Sequence, residues 1–410
     1  MNAAVALHAF AGYGIELEYM IVDRQTLSVM PIADQLLRAA AGGDAAEVDR
    51  GKFGWSNEIV LHLVEIKNAR PEPALAPLAG GFQAEVGQID RLLQPLGARL
   101  MPTGMHPWMN PATETRLWPH DGAPIYRAYD RIFGCKRHGQ ANLQSMHLNL
   151  PFADDTEFAR LHAAVRLVLP IIPAIAASSP IADGKPSGFL DFRMEAYRTA
   201  VQRVPAAIGR VIPDTSSSRA EYQTRILAPL YRDISPLDPE GILQHEWLNA
   251  RGAIPRFSRN AIEIRAIDVQ ECPQADLAIA AAVVAVVRTL YDAPLAAQQA
   301  IATDALAAIM QGCIRDAEQA AIHDAEYLGL LGYPGRRCEA RELWQHLVDT
   351  TLGDAPEWQE PLRLILDQGP LARRILHAVG KECDRTRLEV VYRKLCDCLE
   401  EGRMFGPGAA

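Results

Sequence analysis

The chain has 410 residues, 49% of them hydrophobic and 22% charged, with a formal charge of −9 at neutral pH. That length carries one large or two ordinary domains with ample core. The acidic balance excludes a general binder of nucleic acid or of anionic membrane, since either partner rewards clustered lysine and arginine.

Met1 to Gly12 lacks the basic start, apolar run and cleavage site of a signal peptide. The longest apolar helix expected, residues 277–287 between Asp276 and Arg288, is too short for a bilayer. A cytoplasmic protein with no membrane partner is therefore expected. Cys135, Cys272, Cys313, Cys338, Cys383, Cys396 and Cys398 form neither a disulfide framework nor a CxxC metal pattern, so free and mostly packed thiols are expected.

Residues 14–19 set Glu16 and Glu18 two apart inside an apolar alternation. In a strand, Ile15, Leu17, Tyr19 and Ile21 then share one face, and Glu16 with Glu18 the other. Two like charges on one face want a cation, unless the face is a solvated edge. Asp23-Arg24-Gln25 reads as a turn and residues 33–41 as a helix ended by Gly42-Gly43. Residues 55–67 are mostly β-formers closed by Arg70-Pro71, and they carry Glu58 and Glu65. The odd separation of these two sends them to opposite faces of an uninterrupted strand, so a shared site requires a bulge or bend between them.

A helical period follows over 79–98, then a strand from 100 to 106, a loop at 104–108 and a helix at 125–133. Residues 142–150 alternate again, with Ser145, His147 and Asn149 on one face and Met146, Leu148 and Leu150 on the other. Asp155-Thr156 can cap an apolar helix reaching about residue 177, kinked at Pro170 and Pro173. Ser178-Ser179-Pro180 then opens a flexible loop through Gly188, followed by Arg193 and Arg198. Residues 200–250 read as irregular, with a helix near 239–250. Residues 261–267 form a strand with Glu263 and Arg265 on one face. Helices are expected at 274–291, 296–322, 339–350, 358–367, 370–380 and 385–401. Strands first and helices last point to an α+β fold.

Collected from separate strands, the candidate set is Glu16, Glu18, Glu58, Glu65, His147, Asn149, Glu263 and Arg265. Carboxylates converging in one cleft repel at roughly 4 kcal/mol per close pair at an effective dielectric of about 20, so only bound cations make them tolerable. Hard oxygen donors with one imidazole suit Mg²⁺ or Mn²⁺ rather than structural zinc. Such metals beside an arginine equip a site for phosphoryl transfer. Amide synthesis uses that step, because ATP converts an unreactive carboxylate into an acyl phosphate. Each residue also has a plainer reading: His147 as a packed histidine, Glu263 and Arg265 as a same-face ion pair, Glu58 as an exposed acid. Periodicity alone does not bring the strands together.

In their order along the chain, residues 14–18, the stretch from Glu58 to Glu65, Gly104-Met105-His106-Pro107, Met146-His147-Leu148-Asn149, Ser178 through Gly188 to Arg193, and Ile262-Glu263-Ile264-Arg265 resemble glutamate-cysteine ligase family 2, the carboxylate-amine ligases. The resemblance spans about residues 12–290. It implies a glutamine synthetase-like antiparallel sheet forming a funnel-shaped active site flanked by helices, with a catalytic domain at 1–290 and a helical C-terminal region at 291–410 packed on it. It implies ATP and Mg²⁺ (or Mn²⁺) as cofactors. Glu18, Glu58 and Glu65 would hold one metal; Glu16, His147 and Glu263 a second; Glu16 with Glu263 a third. Arg265 would contact the γ-phosphate or acyl phosphate, and Arg259 the nucleotide. Arg193 and Arg198 would hold a substrate carboxylate through the guanidinium fork, Arg193 counting with Arg265 as catalytic. Asn149 stands where other members carry histidine, and is assigned to substrate or to an outer contact.

The expected reaction joins a carboxylate, that of the glutamate side chain first among candidates, to an amine such as that of cysteine. Small amino acids and ATP are the expected partners, and a homodimer the expected assembly. Three rivals stand beside it: the same chemistry on another acid and amine, a non-catalytic glutamine synthetase-like scaffold that binds nucleotide or amino acid, and a metal-dependent phosphohydrolase.

Overall fold

The computed structural model describes residues 6–406. β1 (Gly14–Asp23) lies inside an eight-stranded sheet. Its apolar alternation does what a period of two requires: Ile15, Leu17, Tyr19 and Ile21 are at most 1% exposed on one face. Burial of each contributes roughly 1.5–3 kcal/mol. The other strands are β2 (Glu47–Asp49), β3 (Phe53–Asn57), β4 (Leu63–Asn68), β5 (Ala98–Met101) and β6 (Ser145–Pro151). After a separate small hairpin of β7 (Ile181–Ala182) and β8 (Lys185–Pro186) come β9 (Ala253–Arg256) and β10 (Ala261–Asp268). The order is β2-β3-β4-β1-β6-β10-β9, with β5 on the far end of β1, and every pairing is antiparallel.

Helices Ala76–Leu93, Asp155–Val168 and Pro273–Tyr291 cover the apolar face, where Phe82, Val86, Val165 and Leu277 join the strand residues in one core. Helices Ala340–Thr351 and Pro356–Gln368 pack against Pro273–Tyr291, and Arg385–Glu401 packs on β5 and on Ala76–Leu93. The opposite, polar face of the sheet is left to the carboxylates.

Several expectations are corrected. Residues 55–67 are a hairpin, not one strand: β3 and β4 pair with each other, and the turn between them is held by residues 116–118, the Leu61 N–H donating to the Arg116 carbonyl and the Trp118 N–H to the Ile59 carbonyl. No turn-forming glycine or proline marks it, because the turn is fixed by a distant segment. The helix expected to reach residue 177 stops at Val168, continues as a 3-10 turn Leu169–Ile171 and resumes at Pro173–Ala176, since Pro170 and Pro173 carry no amide hydrogen. Its cap is Asp154, which accepts from the Glu157 N–H at 2.9 Å.

Ser178 and Ser179 are buried and bonded to Asp268, so the stretch expected to be a flexible loop begins as an anchored turn. Between 200 and 250 the helix lies at Arg219–Tyr222, runs through a π turn Gln223–Leu227 and ends at Ala228–Ile234. Only a 3-10 turn, Glu246–Leu248, stands near 239–250, where Asp238-Pro239 and Gly241 form a turn instead. The helix expected at 296–322 breaks after Ala300 and again after Asp316, where Ala321–Ile322 pairs with Cys338–Glu339. The strand expected from residue 100 is β5, starting at Ala98 and ending at Met101.

The apolar helix Pro273–Tyr291 has 19 residues and mean hydropathy 1.5, long and apolar enough to cross a membrane, which corrects the shorter span expected. Here 72% of its most apolar 18-residue window is buried inside the protein, as a core helix would be. All seven cysteines are free thiols, and all but Cys383 are buried.

Candidate active site

Strand register assembles the site. Across the polar face, Ser56 on β3 stands opposite Glu65 on β4, and Glu65 opposite Glu18 on β1. One step along, Lys67 stands opposite Glu16, and Glu16 opposite His147 on β6. Glu263 on β10 faces Asn149, and Asp268 faces Ser145. All of these but Asn149 and Asp268, together with Glu58 from the β3–β4 turn, open into a cleft of about 530 Å³. Its walls add Tyr126, Tyr129, Tyr197, Trp247, Arg193, Arg256, Arg259 and Arg265.

His147 Nδ1 lies 2.8 Å from Glu16 Oε2, and its Nε2 3.7 Å from Glu18 Oε1. Glu18 Oε2 accepts from the Ser145 N–H at 2.7 Å and its hydroxyl at 2.8 Å. Glu65 accepts from the Ser56 hydroxyl at 2.8 Å and lies 3.3 Å from Lys67 Nζ, which also reaches Glu47 at 3.0 Å. Glu263 is held by Arg265 and by Arg256, the latter at 2.6 Å. Among the described residues Arg259 makes no ion pair, though its charge is felt at Glu16.

Burial pushes the Glu58 carboxyl well above the usual carboxylate range, and the charges of Glu18 and Glu65 add to it. Burial and then Glu16 lift Glu65 to about 7, with Lys67 offsetting part of the rise. Burial opposes the His147 imidazolium, but the hydrogen bond to Glu16 and the charges of Glu18 and Glu16 outweigh it and raise the group to about 9. At Glu16 burial is likewise outweighed by His147, and the carboxyl sits below its ordinary value. Burial of Glu263 is overcome by Arg265, His147 and Arg256, which hold it strongly ionised. The face thus divides into a β3–β4 side with excess negative charge and a β10 side where arginines balance it.

Ligand oxygens of Glu18, Glu58 and Glu65 lie within 4.8 Å of one another, as do those of Glu16 and Glu65 with a nitrogen of His147. A hard, thiolate-free donor set whose members raise one another's pKa is one that Mg²⁺ or Mn²⁺ fits. The first group is the triad expected for one metal. In the second, Glu65 stands where Glu263 was expected, because Glu263 is taken by its two arginines.

Of the residues expected to bind substrate, Arg193 lines the cleft with its Nε donating to Asp268. Arg198 does not reach the cleft: it pairs with Glu195 at 2.5 Å, one helical turn away, and borders a different surface hollow with Arg210 and Asp304. The Asn149 amide donates to Glu16 Oε1 at 3.2 Å and so supports that carboxylate. Lys67 and Ser56 went unnoticed in the sequence, although Lys67 follows Glu65 by two residues and period two places both on one face. Trp247, Tyr129 and Tyr197 come from segments whose pattern gave no sign of the cleft.

A family model described as "Glutamate-cysteine ligase family 2(GCS2)" matches residues 13–394. An "Uncharacterized protein" of Archaeoglobus fulgidus is 31% identical over 392 residues, covering 96% of this chain and 99% of its own. A protein of Rubrobacter xylanophilus named "Putative glutamate--cysteine ligase 2-3" is 26% identical over 271 residues, covering 65% of this chain and 66% of its own. The crystal structure of glutamate–cysteine ligase from Francisella tularensis in complex with AMP aligns with a TM-score of 0.58 at 14% identity, covering 96% of this chain and 89% of that one. The shared fold is the antiparallel, glutamine synthetase-like sheet with flanking helices.

Proposed function

This chain belongs to glutamate-cysteine ligase family 2, the ATP-dependent carboxylate-amine ligases, and from that premise we propose that it activates the side-chain carboxylate of glutamate and joins it to an amine such as that of cysteine. The observation that carries the reading is the division of the cleft: Glu16, Glu18, Glu58 and Glu65 crowd one side, while Arg265, Arg256 and Arg259 stand on the other.

In the reaction so read, a carboxylate oxygen of the acid attacks the γ-phosphorus of ATP, the bond to the bridging oxygen breaks and ADP leaves. The amine nitrogen then attacks the acyl carbon, phosphate departs with its bonding pair, and the nitrogen loses a proton. Arg259, free of any acid partner among the described residues, neutralises phosphate oxygens, and Arg265 lies against the transferred group while anchored by Glu263. Arg193 holds a carboxylate of the acid substrate by its two terminal nitrogens. Glu18, Glu58 and Glu65, and Glu16 with His147, would hold Mg²⁺, which when bound supplies charge neutralisation to the phosphates. The apolar wall of Ile59, Leu63, Ile125 and Leu143 excludes water that would otherwise hydrolyse the activated acid.

The test is phosphate release from ATP with Mg²⁺ and glutamate, with and without a panel of amines including cysteine, followed by mass spectrometry. Amine-dependent phosphate with a new amide is the expected result. Release that ignores every amine would replace the ligase reading with hydrolysis, and ATP binding without release would favour the non-catalytic scaffold.

A further inference from the structure

Asp268 is fully buried, yet it belongs to the cleft face of the sheet. By simple alternation it should not: Glu263 and Arg265 are odd-numbered and Asp268 is even, so an unbroken strand turns it away. The pairing of β10 with β6 shifts register between Ile264, opposite Leu148, and Ile267, opposite Met146, so three steps on one strand match two on the other. That bulge re-aims everything beyond it, and Asp268 lands opposite Ser145 on the polar side.

Once there, the carboxylate is gripped on every side. Oδ2 accepts from the Ser178 N–H at 2.9 Å, the Ser179 hydroxyl at 2.7 Å and, more weakly, the Ser178 hydroxyl at 3.4 Å, while Oδ1 accepts from Arg193 Nε. The Ser179 hydroxyl in turn accepts from the Arg193 N–H at 3.0 Å, fixing backbone and side chain of the arginine together. A Cβ on Gly104 would stand 2.5 Å from the Asp268 carboxylate carbon, so this position must lack a side chain for the carboxylate to lie where it does. Among the described residues the two terminal nitrogens of Arg193 have no comparable partner. Each meets only the Arg265 carbonyl oxygen at 3.4 Å, and the residue borders the cleft.

We propose that Asp268, brought to the cleft face by the β10 bulge, is a positioning residue that holds Arg193 by its Nε and turns the terminal guanidinium edge toward the acid substrate. The idea rests on the ligase reading for the identity of that substrate. Gripping a guanidinium by Nε leaves the Nη1–Nη2 edge for one bidentate carboxylate partner. Selection of that edge needs a fixed anion behind the arginine, one that water cannot reach and that cannot follow the ligand. Asp191, also buried and close enough to Asp268 to share its field, keeps one oxygen on the Met194 N–H and caps the helix Phe192–Tyr197 that carries Arg193. The helix start and the side chain are therefore located by neighbouring acids.

The experiment measures KM for glutamate and for ATP in the wild type and in Asp268→Asn, Arg193→Lys and the double variant, with circular dichroism to verify folding. Asp268→Asn should raise KM for glutamate roughly 10- to 100-fold, with KM for ATP nearly unchanged. In the Arg193→Lys background, which lacks the Nε donor, the same change should add little, because the effect passes through the arginine. Equal effects in both backgrounds, or loss of both KM values together, would reduce Asp268 to a structural role. If Asp268→Asn does not fold, Ser179→Ala removes one donor and should raise the same KM to a lesser degree; an unchanged KM there overturns the proposal. A wild type that turns over no glutamate defeats the ligase reading instead, and an active wild type with unmoved KM values defeats this inference alone.

Discussion

Glu18 and Glu65 stand directly opposite each other across β1 and β4. Like charges in that relation oppose pairing, and Glu58 from the adjoining turn brings a third into reach. Glu65 has Lys67 and Ser56, and Glu18 has Ser145, but among the described residues no side chain bonds or ion-pairs the Glu58 carboxylate. Removing the charge of Glu58 relieves the repulsions of Glu18, Glu65 and Glu16 and gives up only the attraction of the His147 charge. Glu58→Gln should therefore stabilise the metal-free protein by about 1–2 kcal/mol at a pH high enough to ionise the wild-type carboxyl, while abolishing amide formation and the stabilisation that Mg²⁺ confers on the wild type. Denaturant melts with EDTA and with Mg²⁺ measure both; a variant destabilised in EDTA would show that the repulsion is already compensated.

The same cluster sets a pH dependence. Glu65 is raised from 4.5 to about 7 in the folded protein. Between those values the folded state keeps a proton that the unfolded state has lost, so stability falls as pH rises through this window, by an amount on the order of 3 kcal/mol at most. Glu58 shifts in the same direction. His147, raised from 6.5 to about 9, acts at higher pH: its contribution is whole below 6.5 and disappears as pH passes 9. Metal-free protein should thus be most stable on the acid side of neutrality, and the gain in melting temperature on adding Mg²⁺ should grow from pH 5 to pH 8. A gain that does not depend on pH would mean the ion binds away from these carboxylates.

How far the sequence could be read follows from which forces set each element. Period-two strands were legible because burial of one face dictates them: Ile15 to Ile21 and Met146 to Leu150 place Glu16, Glu18, His147 and Asn149 without further information. Glu58 and Glu65 could be joined only conditionally, through a required bend, and the structure supplies a whole hairpin whose turn is held by residues 116–118. Asp268 was not legible at all, since one bulged residue inverts the parity by which faces are assigned. Arg198 misled for the opposite reason: a charge near the right place in sequence found its partner, Glu195, within its own short helix. Local periodicity reports burial, whereas bulges, turns held from afar and ion-pair choices report contacts made after the chain has folded.

Arg265 and Glu263 form a buried pair in which Arg256 is the second cation. Arg265→Ala leaves Glu263 with Arg256 alone, so the fold should survive while the charge facing the transferred phosphoryl group is lost. The expected fall in kcat is about 1,000-fold or more, the range over which an arginine at a phosphoryl group acts. Arg265→Lys keeps a charge but loses the planar fork and should recover only part of it. Single-turnover phosphate release measures the step directly; a KM change with kcat intact would move Arg265 from the chemistry to ground-state binding.

Arg198 and Arg259 form a paired test of placement. Both are exposed enough to be replaced without cavity formation, and both were assigned to ligands from the sequence. Arg198 is engaged by Glu195 and lines a hollow outside the cleft, so Arg198→Ala should leave KM for glutamate and ATP within twofold, and stability within about 0.5 kcal/mol. Arg259 borders the cleft without an acid partner among the described residues, a cation whose local field only a ligand or Glu16 can use. Arg259→Ala should raise KM for ATP roughly tenfold, as loss of one charge-assisted hydrogen bond does, and the increase should shrink at high salt because the side chain is exposed. Should Arg198→Ala be the variant that weakens glutamate binding, the helix Phe192–Tyr197 must swing toward the cleft on ligand binding, which breaks the Glu195 pair; the two variants measured side by side decide between a preformed site and one that closes.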